Sequence, residues 1–193
     1  YNLKDASPPN GGLSLIRILA GSEGTLALTK QRTLRLLPQK VHRALVVVAY
    51  NDALAAVGDA ERLLAADPTA VEFIDDRIIA LARQDTVWSD INSLFPGEHA
   101  HVVWGLNFVE VQADDDAGLA EAIGRLQALS GPAPQEVLWE QVVEDERVIS
   151  ALWSLRSKCV GLLGRIDPTR QGTPFVEDAA VPPCNLRNFV EGF

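Results

Sequence analysis

Two successive strand–helix–strand patterns constrain the fold of this chain more than any other feature of its sequence. Residues 44–50 form an apolar run rich in β-branched side chains, which is typical of a buried strand. Asn51 and Asp52 follow directly and can cap a helix that we predict to end near Ala66. A second apolar run at residues 70–74 predicts the next strand, so the helix connects one strand to the other.

The same pattern returns further along the chain. Residues 102–111 predict a third strand, and three aspartates at residues 114–116 can cap a helix whose apolar residues recur at helical spacing. Residues 136–143 predict a fourth strand. Two such units predict an α+β fold, namely a ferredoxin-like antiparallel sheet with helices on one face.

The remaining stretches predict elements around this sheet. We expect a short helix at residues 76–83 and an irregular polar segment at residues 84–97. Residues 145–163 carry an apolar stripe at helical spacing and predict a long helix. After it, residues 174–183 predict an extended strand and residues 185–193 a final helix.

The first forty residues differ in character from the rest. Residues 13–20 predict a short helix, and a glycine turn follows it. Residues 26–37 then alternate apolar and polar side chains as a strand does. We therefore expect two domains, covering residues 1–40 and 41–193.

The turn at residues 21–25, with the sequence Gly-Ser-Glu-Gly-Thr, has two interpretations. Glycine adopts left-handed backbone angles readily, and without a Cβ it lets a ligand approach the backbone closely. The Ser22 and Thr25 hydroxyls and the backbone N–H groups would suit a phosphate or a ring system. A plain connection between two apolar runs explains the same spacing, and such turns are common.

Composition limits the class of protein. The net charge is −9 and no basic cluster offsets it, which argues against a nucleic-acid surface. No apolar run approaches the roughly 20 residues that a membrane-spanning helix requires. Cys159 and Cys184 fit reduced thiols better than a disulfide framework. The sequence contains no methionine, and we expect it to be a piece of a longer protein.

Several motifs occur in an order that resembles a known family. Tyr1-Asn2, the glycine turn and then Thr33-Leu34-Arg35-Leu36-Leu37-Pro38 resemble the end of the FAD-binding domain of FAD-linked oxidases, which is of the vanillyl-alcohol-oxidase type. These are enzymes of the glycolate oxidase and D-lactate dehydrogenase type. Ala70-Val71-Glu72-Phe73-Ile74-Asp75 resembles a strand of their substrate (cap) domain.

Further motifs resemble one subgroup of that family. Gly105-Leu106-Asn107, Arg156-Ser157-Lys158-Cys159 and Pro174-Phe175-Val176-Glu177-Asp178 are similar to large bacterial proteins in which an FAD-linked oxidase is fused to an iron–sulfur half. The resemblance implies a tail of the FAD-binding domain followed by most of the cap domain. It also implies FAD as cofactor and a 4Fe-4S cluster in a fused or partner region.

The resemblance also implies roles for individual residues. Arg156 matches an arginine that binds the carboxylate of a D-2-hydroxy acid, a role that suits the planar fork of a guanidinium. The residues that the resemblance places near FAD are Tyr1, Asn2, Gly21, Ser22, Glu23, Gly24, Thr25, Glu177 and Asp178. In the family, the catalytic histidines and metal ligands lie in a His-rich motif downstream of the part that this chain resembles. We therefore expect no catalytic residue and no metal ligand within this chain.

Plainer interpretations stand beside these roles. Arg156 lies next to the apolar stripe of its helix, where a solvated surface arginine is equally expected. Glu177 and Asp178 suit the capped end of a strand just as well. His99 and His101 could lie on one face of a strand as a metal pair, but a zinc site needs further ligands.

The resemblance thus implies a flavin-dependent dehydrogenase that oxidises D-lactate, glycolate or D-2-hydroxyglutarate and passes electrons to an iron–sulfur partner. Its parent would be cytoplasmic, with membrane association only through partners, and the isolated chain would be inactive. Oxygen or a cytochrome as acceptor is a weaker variant of this hypothesis. The alternative is a non-catalytic ferredoxin-like module for interaction or oligomerisation.

Overall fold

The computed structural model describes residues 6–7, 11–38, 40–97, 102–129, 133–163 and 179–192. The chain divides into two compact units, Tyr1–Gln39 and Lys40–Phe193. Within the described residues, no helix combines the length and the apolar character that crossing a bilayer requires.

The first unit contains helix α1 (Leu15–Leu19) and the glycine turn. The strand predicted at residues 26–37 is wrong, because the described residues of that stretch pair with no other strand. Leu28 and Leu36 are 97% and 85% exposed, so the alternation does not mark a buried face here. An alternating pattern makes a strand only where a neighbour satisfies its backbone groups.

The second unit contains four strands and six helices among its described residues. A short helix, Trp88–Ile91, is followed by a 3₁₀ turn, Asn92–Leu94, so the expected irregular segment at 84–97 is partly helical. The elements are β1 (His42–Tyr50), α2 (Ala53–Leu64), β2 (Ala70–Asp75), α3 (Asp76–Ala82), α4 (Trp88–Ile91), β3 (Gly105–Ala113), α5 (Asp116–Gln127), β4 (Val137–Val143), α6 (Glu146–Leu163) and α7 (Pro183–Gly192).

The sheet has the strand order β2-β3-β1-β4, and every neighbouring pair is antiparallel. This confirms the predicted α+β class and the antiparallel sheet. The order is the one that two consecutive strand–helix–strand units produce in a ferredoxin-like fold. The strand predicted at 174–183 lies partly outside the described residues, and residues 179–182 are not in a strand.

Aspartate side chains start several of the helices. Asp52 accepts a hydrogen bond from the Ala55 N–H at 2.6 Å, and Asp115 accepts one from the Gly118 N–H at 2.7 Å. Asp75 does the same for the Ile78 N–H at the start of α3. Each carboxylate satisfies an N–H that the first helical turn leaves without a partner.

Both faces of the sheet are buried, which corrects the expectation of helices on one face. Helices α2 and α5 pack on one face against Val46, Val48 and Val109. Helices α3, α4 and α6 pack on the other face against Val47 and Phe108. The reason lies in β1, which is buried throughout residues 44–50 and directs apolar side chains to both faces of the sheet.

Gly105, at the start of β3, brings the sheet close to helix α2. A Cβ at this position would lie 2.9 Å from Phe73 Cε2 and 3.0 Å from Ala56 Cβ. Because both neighbours belong to packed elements, any side chain here must displace one of them. At Gly124, within helix α5, no atom of the described residues outside the neighbouring helix backbone lies within 4 Å of the equivalent position.

These two glycines form a matched pair for testing the packing. We expect Gly105→Ala to lower the free energy of unfolding by about 1–3 kcal/mol through overpacking. Gly124→Ala should raise it by roughly 0.5–1 kcal/mol, because alanine loses less backbone entropy in a helix. Urea unfolding of both variants measures the difference, and equal shifts in midpoint would contradict the close approach at Gly105.

Candidate functional site

Helix α6 presents Arg156 from a fixed position on the sheet. Ile149, Leu152 and Leu155 of this helix are all buried in the core that covers the α3/α4/α6 face. Arg156 directly follows Leu155, so its backbone is held while half of its side chain stays exposed. The position therefore combines a rigid base with a guanidinium that solvent and solutes can reach.

The partner of Arg156 is Glu72, in the edge strand β2. Arg156 Nε donates a hydrogen bond to Glu72 Oε2 at 3.1 Å across 84 residues of sequence. Glu72 pairs in register with Phe108 of β3, whose side chain lies in the core beneath α6. The Glu72 side chain is 32% exposed, compared with 50% for Arg156. The ion pair thus links α6 to the sheet at its rim.

The hydrogen bond that Arg156 donates to Glu72 raises the pKa of Arg156, which keeps the guanidinium charged. An exposed ion pair of this kind contributes about 0–1 kcal/mol to stability, because solvent screens it and two side chains must be ordered. Among the described residues, neither Nη1 nor Nη2 of Arg156 has a hydrogen-bond partner. Two parallel N–H donors therefore remain for a carboxylate ligand.

The groups next to Arg156 on α6 have partners of their own. Lys158 Nζ donates to Asp85 Oδ1 at 3.2 Å, so Lys158 holds the segment before α4. The backbone hydrogen bond from Val87, and then the side-chain hydrogen bond from Lys158, lowers the pKa of Asp85. Burial, and then the negative charge of Asp75, raises the pKa of the Cys159 thiol. That thiol stays protonated and does not suit nucleophilic chemistry.

Glu72 belongs to the motif at residues 70–75, but the sequence alone assigned it no role. Within β2, Glu72 and the buried Ile74 are two residues apart and thus lie on the same face of the strand. That alternation could have indicated a carboxylate pointing toward the α6 side of the sheet. It could not have identified Arg156 as the partner, since only the tertiary packing brings the two together.

The glycine turn has the backbone that its sequence predicts. Gly21 and Gly24 have φ of +78° and +76°, and Glu23 has a φ of +49° that non-glycine residues rarely adopt. Thr25 donates from both its N–H and its hydroxyl to the Ser22 carbonyl, at 2.9 and 2.6 Å. Apart from the chain neighbours of each glycine, no atom of the described residues lies within 4 Å of a Cβ built on either glycine, so the backbone is open to a close neighbour.

Other predicted site residues lie outside the described residues. They are Tyr1, Asn2, Glu177 and Asp178; His99 and His101, which form only an incomplete metal pair in the sequence, also lie outside the described residues. Within the part of the chain that the structure describes, no three His, Cys, Asp or Glu side chains are grouped so that they could hold a metal ion.

A second polar cluster lies on the opposite face of the sheet, beside a cavity of about 640 Å³ between α2, α7 and residues 133–136. The buried Asp59 carboxylate accepts hydrogen bonds from Tyr50 Oη at 2.7 Å and from Arg62 Nε and Nη2 at 2.6 and 2.7 Å. Asn107 Nδ2 donates to Tyr50 Oη and to the Ala56 carbonyl. Asn107 Oδ1 is buried without a hydrogen-bond partner among the described residues, but the Asp59 carboxylate and the Tyr50 hydroxyl are paired within the cluster. We therefore interpret the cluster as structural.

The whole second unit matches a family of known proteins. Residues 39–193 match the family described as FAD linked oxidases, C-terminal domain. The chain belongs to the FAD-linked oxidase family. This confirms the family that the sequence motifs resemble.

Three relatives show the range of similarity within this FAD-linked oxidase family. The chain is 31% identical over 194 residues to a D-2-hydroxyglutarate dehydrogenase of Pseudomonas putida, covering all of the chain and 19% of that protein. It is 33% identical over 183 residues to the Escherichia coli enzyme of the same name, covering 93% of the chain and 18% of the relative. A D-lactate dehydrogenase of Archaeoglobus fulgidus is 25% identical over 183 residues, covering 93% of the chain and 36% of the relative.

The chain therefore spans about a fifth of the length of the D-2-hydroxyglutarate dehydrogenases that it matches.

The buried Tyr50 gives a pH-dependent test of the structural cluster. Burial, and then the hydrogen bond to Asp59, raises the pKa of Tyr50 above its ordinary value of 10.0. A raised pKa in the folded state means that this contribution to stability is complete below pH 10 and is lost as pH rises beyond it.

The sequence has two tyrosines, so Tyr1→Phe leaves Tyr50 as the only phenol. We expect its phenolate absorbance to appear only together with loss of the helical circular dichroism, and stability to fall above about pH 10. Phenolate formation near pH 10 in a folded chain would contradict the buried Tyr50–Asp59 hydrogen bond.

Proposed function

We propose that this chain is part of a flavin-dependent dehydrogenase that oxidises a D-2-hydroxy acid. In this proposal residues 41–193 form its substrate domain and residues 1–40 the end of its FAD-binding domain. Membership of the FAD-linked oxidase family supports the class of cofactor. The names of the relatives from Pseudomonas putida and Escherichia coli favour D-2-hydroxyglutarate as substrate. D-lactate and glycolate are the substrates to compare with it.

One observation carries the proposal, namely the geometry of Arg156. The helix backbone is fixed by the core, the guanidinium is charged, and its two terminal nitrogens are open within the described part of the chain. A 2-hydroxy acid has a carboxylate whose two oxygens match two parallel N–H donors. Binding by Arg156 would fix the substrate at its carboxylate and so orient the neighbouring carbon that loses a hydride.

The glycine turn fits the cofactor that the family implies. Its backbone is open beside Gly21 and Gly24, which allows a flat ring or a phosphate to lie close to the N–H groups. We propose that Gly21, Ser22, Glu23, Gly24 and Thr25 contact FAD, which when bound supplies the acceptor for the hydride. Contacts to FAD from Tyr1, Asn2, Glu177 and Asp178, and an iron–sulfur acceptor with its 4Fe-4S cluster, rest on the motif resemblance alone.

The test uses the full-length flavoprotein that contains this chain, under anaerobic conditions. Reduction of its flavin is followed by loss of visible absorbance during titration with D-2-hydroxyglutarate, D-lactate or glycolate. We expect Arg156→Ala to raise the half-saturating concentration of the active acid roughly 10- to 100-fold, as loss of a hydrogen bond to a charged group predicts. Arg156→Lys should restore only part of it, because lysine lacks the planar fork.

Lys158→Ala is the matched control, since it removes a different ion pair from the same helix. Its half-saturating concentration should equal that of the unaltered protein. If no acid reduces the flavin, the proposed activity is wrong and a non-catalytic module becomes the better interpretation. If Arg156→Ala reduces its flavin like the unaltered protein, Arg156 does not bind the substrate.

A further inference from the structure

The ion pair between Arg156 and Glu72 leaves one edge of the guanidinium occupied and another open. Glu72 Oε2 lies 3.1 Å from Nε, whereas Nη1 and Nη2 have no partner among the described residues. We propose that Glu72 is a positioning residue for Arg156. Its carboxylate holds the Nε edge of the guanidinium, so that the two Nη groups can bind both oxygens of the substrate carboxylate. This inference rests on the proposed function.

The backbones on both sides of the ion pair are held in place. Glu72 belongs to β2, whose residues Ala70 to Asp75 are all registered against β3. Arg156 belongs to α6, which Leu152 and Leu155 anchor in the core. A single hydrogen bond between such supports fixes the end of a long side chain. Without it, a half-exposed arginine would sample several rotamers and would have to be ordered when the ligand binds.

Both anions can bind Arg156 at once in this geometry. Glu72 uses the Nε edge, and the open Nη pair provides the two parallel donors that bidentate binding of a carboxylate needs. The charge of Glu72 nevertheless offsets part of the positive charge of Arg156. Glu72 could therefore act in the opposite sense, as a competitor that weakens substrate binding. Removing its carboxylate distinguishes the two roles by the direction of the effect.

The experiment compares Glu72→Ala, Glu72→Gln and the control Lys158→Ala in the full-length flavoprotein. Anaerobic flavin reduction by D-2-hydroxyglutarate gives the half-saturating concentration and the limiting rate separately. We expect Glu72→Ala to raise the half-saturating concentration roughly five- to tenfold, the effect of releasing one immobilised side chain. Glu72→Gln keeps an oxygen acceptor for Nε and should stay within about twofold, since the hydrogen bond persists. Lys158→Ala should change neither quantity.

A double-mutant cycle separates positioning from general damage to the protein. If Glu72 acts through Arg156, the variant carrying both Glu72→Ala and Arg156→Ala binds substrate no more weakly than Arg156→Ala alone. Additive losses would overturn the inference, and so would a Glu72→Ala variant that binds as well as or better than the unaltered protein. If Arg156→Ala itself has no effect, Arg156 does not bind the substrate and this inference falls with it. If no acid reduces the flavin, the proposed activity itself is wrong, and both results are distinct from a failure of Glu72 alone.

Discussion

The pairing of β1 with β3 at the centre of the sheet is the constraint on which the second unit depends. β1 is hydrogen-bonded on both edges and buried throughout residues 44–50, so apolar side chains leave it on both faces. A sheet of this kind needs a layer of helices on each side to exclude water. The layer of α2 and α5 follows from the crossover connections. The layer of α3, α4 and α6 completes the core, and it brings α6 over β2.

The two faces carry polar groups of different kinds. On the α2/α5 face, Tyr50, Asp59 and Asn107 are buried and hydrogen-bonded to one another, which suits a structural role. On the other face, the Arg156–Glu72 pair lies at the rim, half exposed, with two donors left over. A buried carboxylate without partners would cost several kcal/mol, so the hydrogen bonds that Asp59 accepts are a condition of folding. The open rim pair has no such requirement and can serve a ligand.

Local signals in the sequence predicted most of the second unit. The β-branched run of β1 and the capping aspartates Asp52 and Asp115 each act within a few residues, and the structure confirms them. The short helix α4 was missed because its apolar residues match no long period. The alternation at 26–37 was misread because strand formation depends on a partner elsewhere. The Arg156–Glu72 pair joins residues 84 positions apart, so no local pattern could reveal it. The domain boundary near residue 40 and the FAD contacts stay predictions.

We propose that α6 and β2 together hold one guanidinium ready for a carboxylate. A crystal structure of the full-length flavoprotein with bound D-2-hydroxyglutarate tests it most directly. We expect both oxygens of one substrate carboxylate to lie within about 3 Å of Arg156 Nη1 and Nη2, while Nε still donates to Glu72. A substrate bound away from Arg156, or one that displaces Glu72 from Nε, would contradict it.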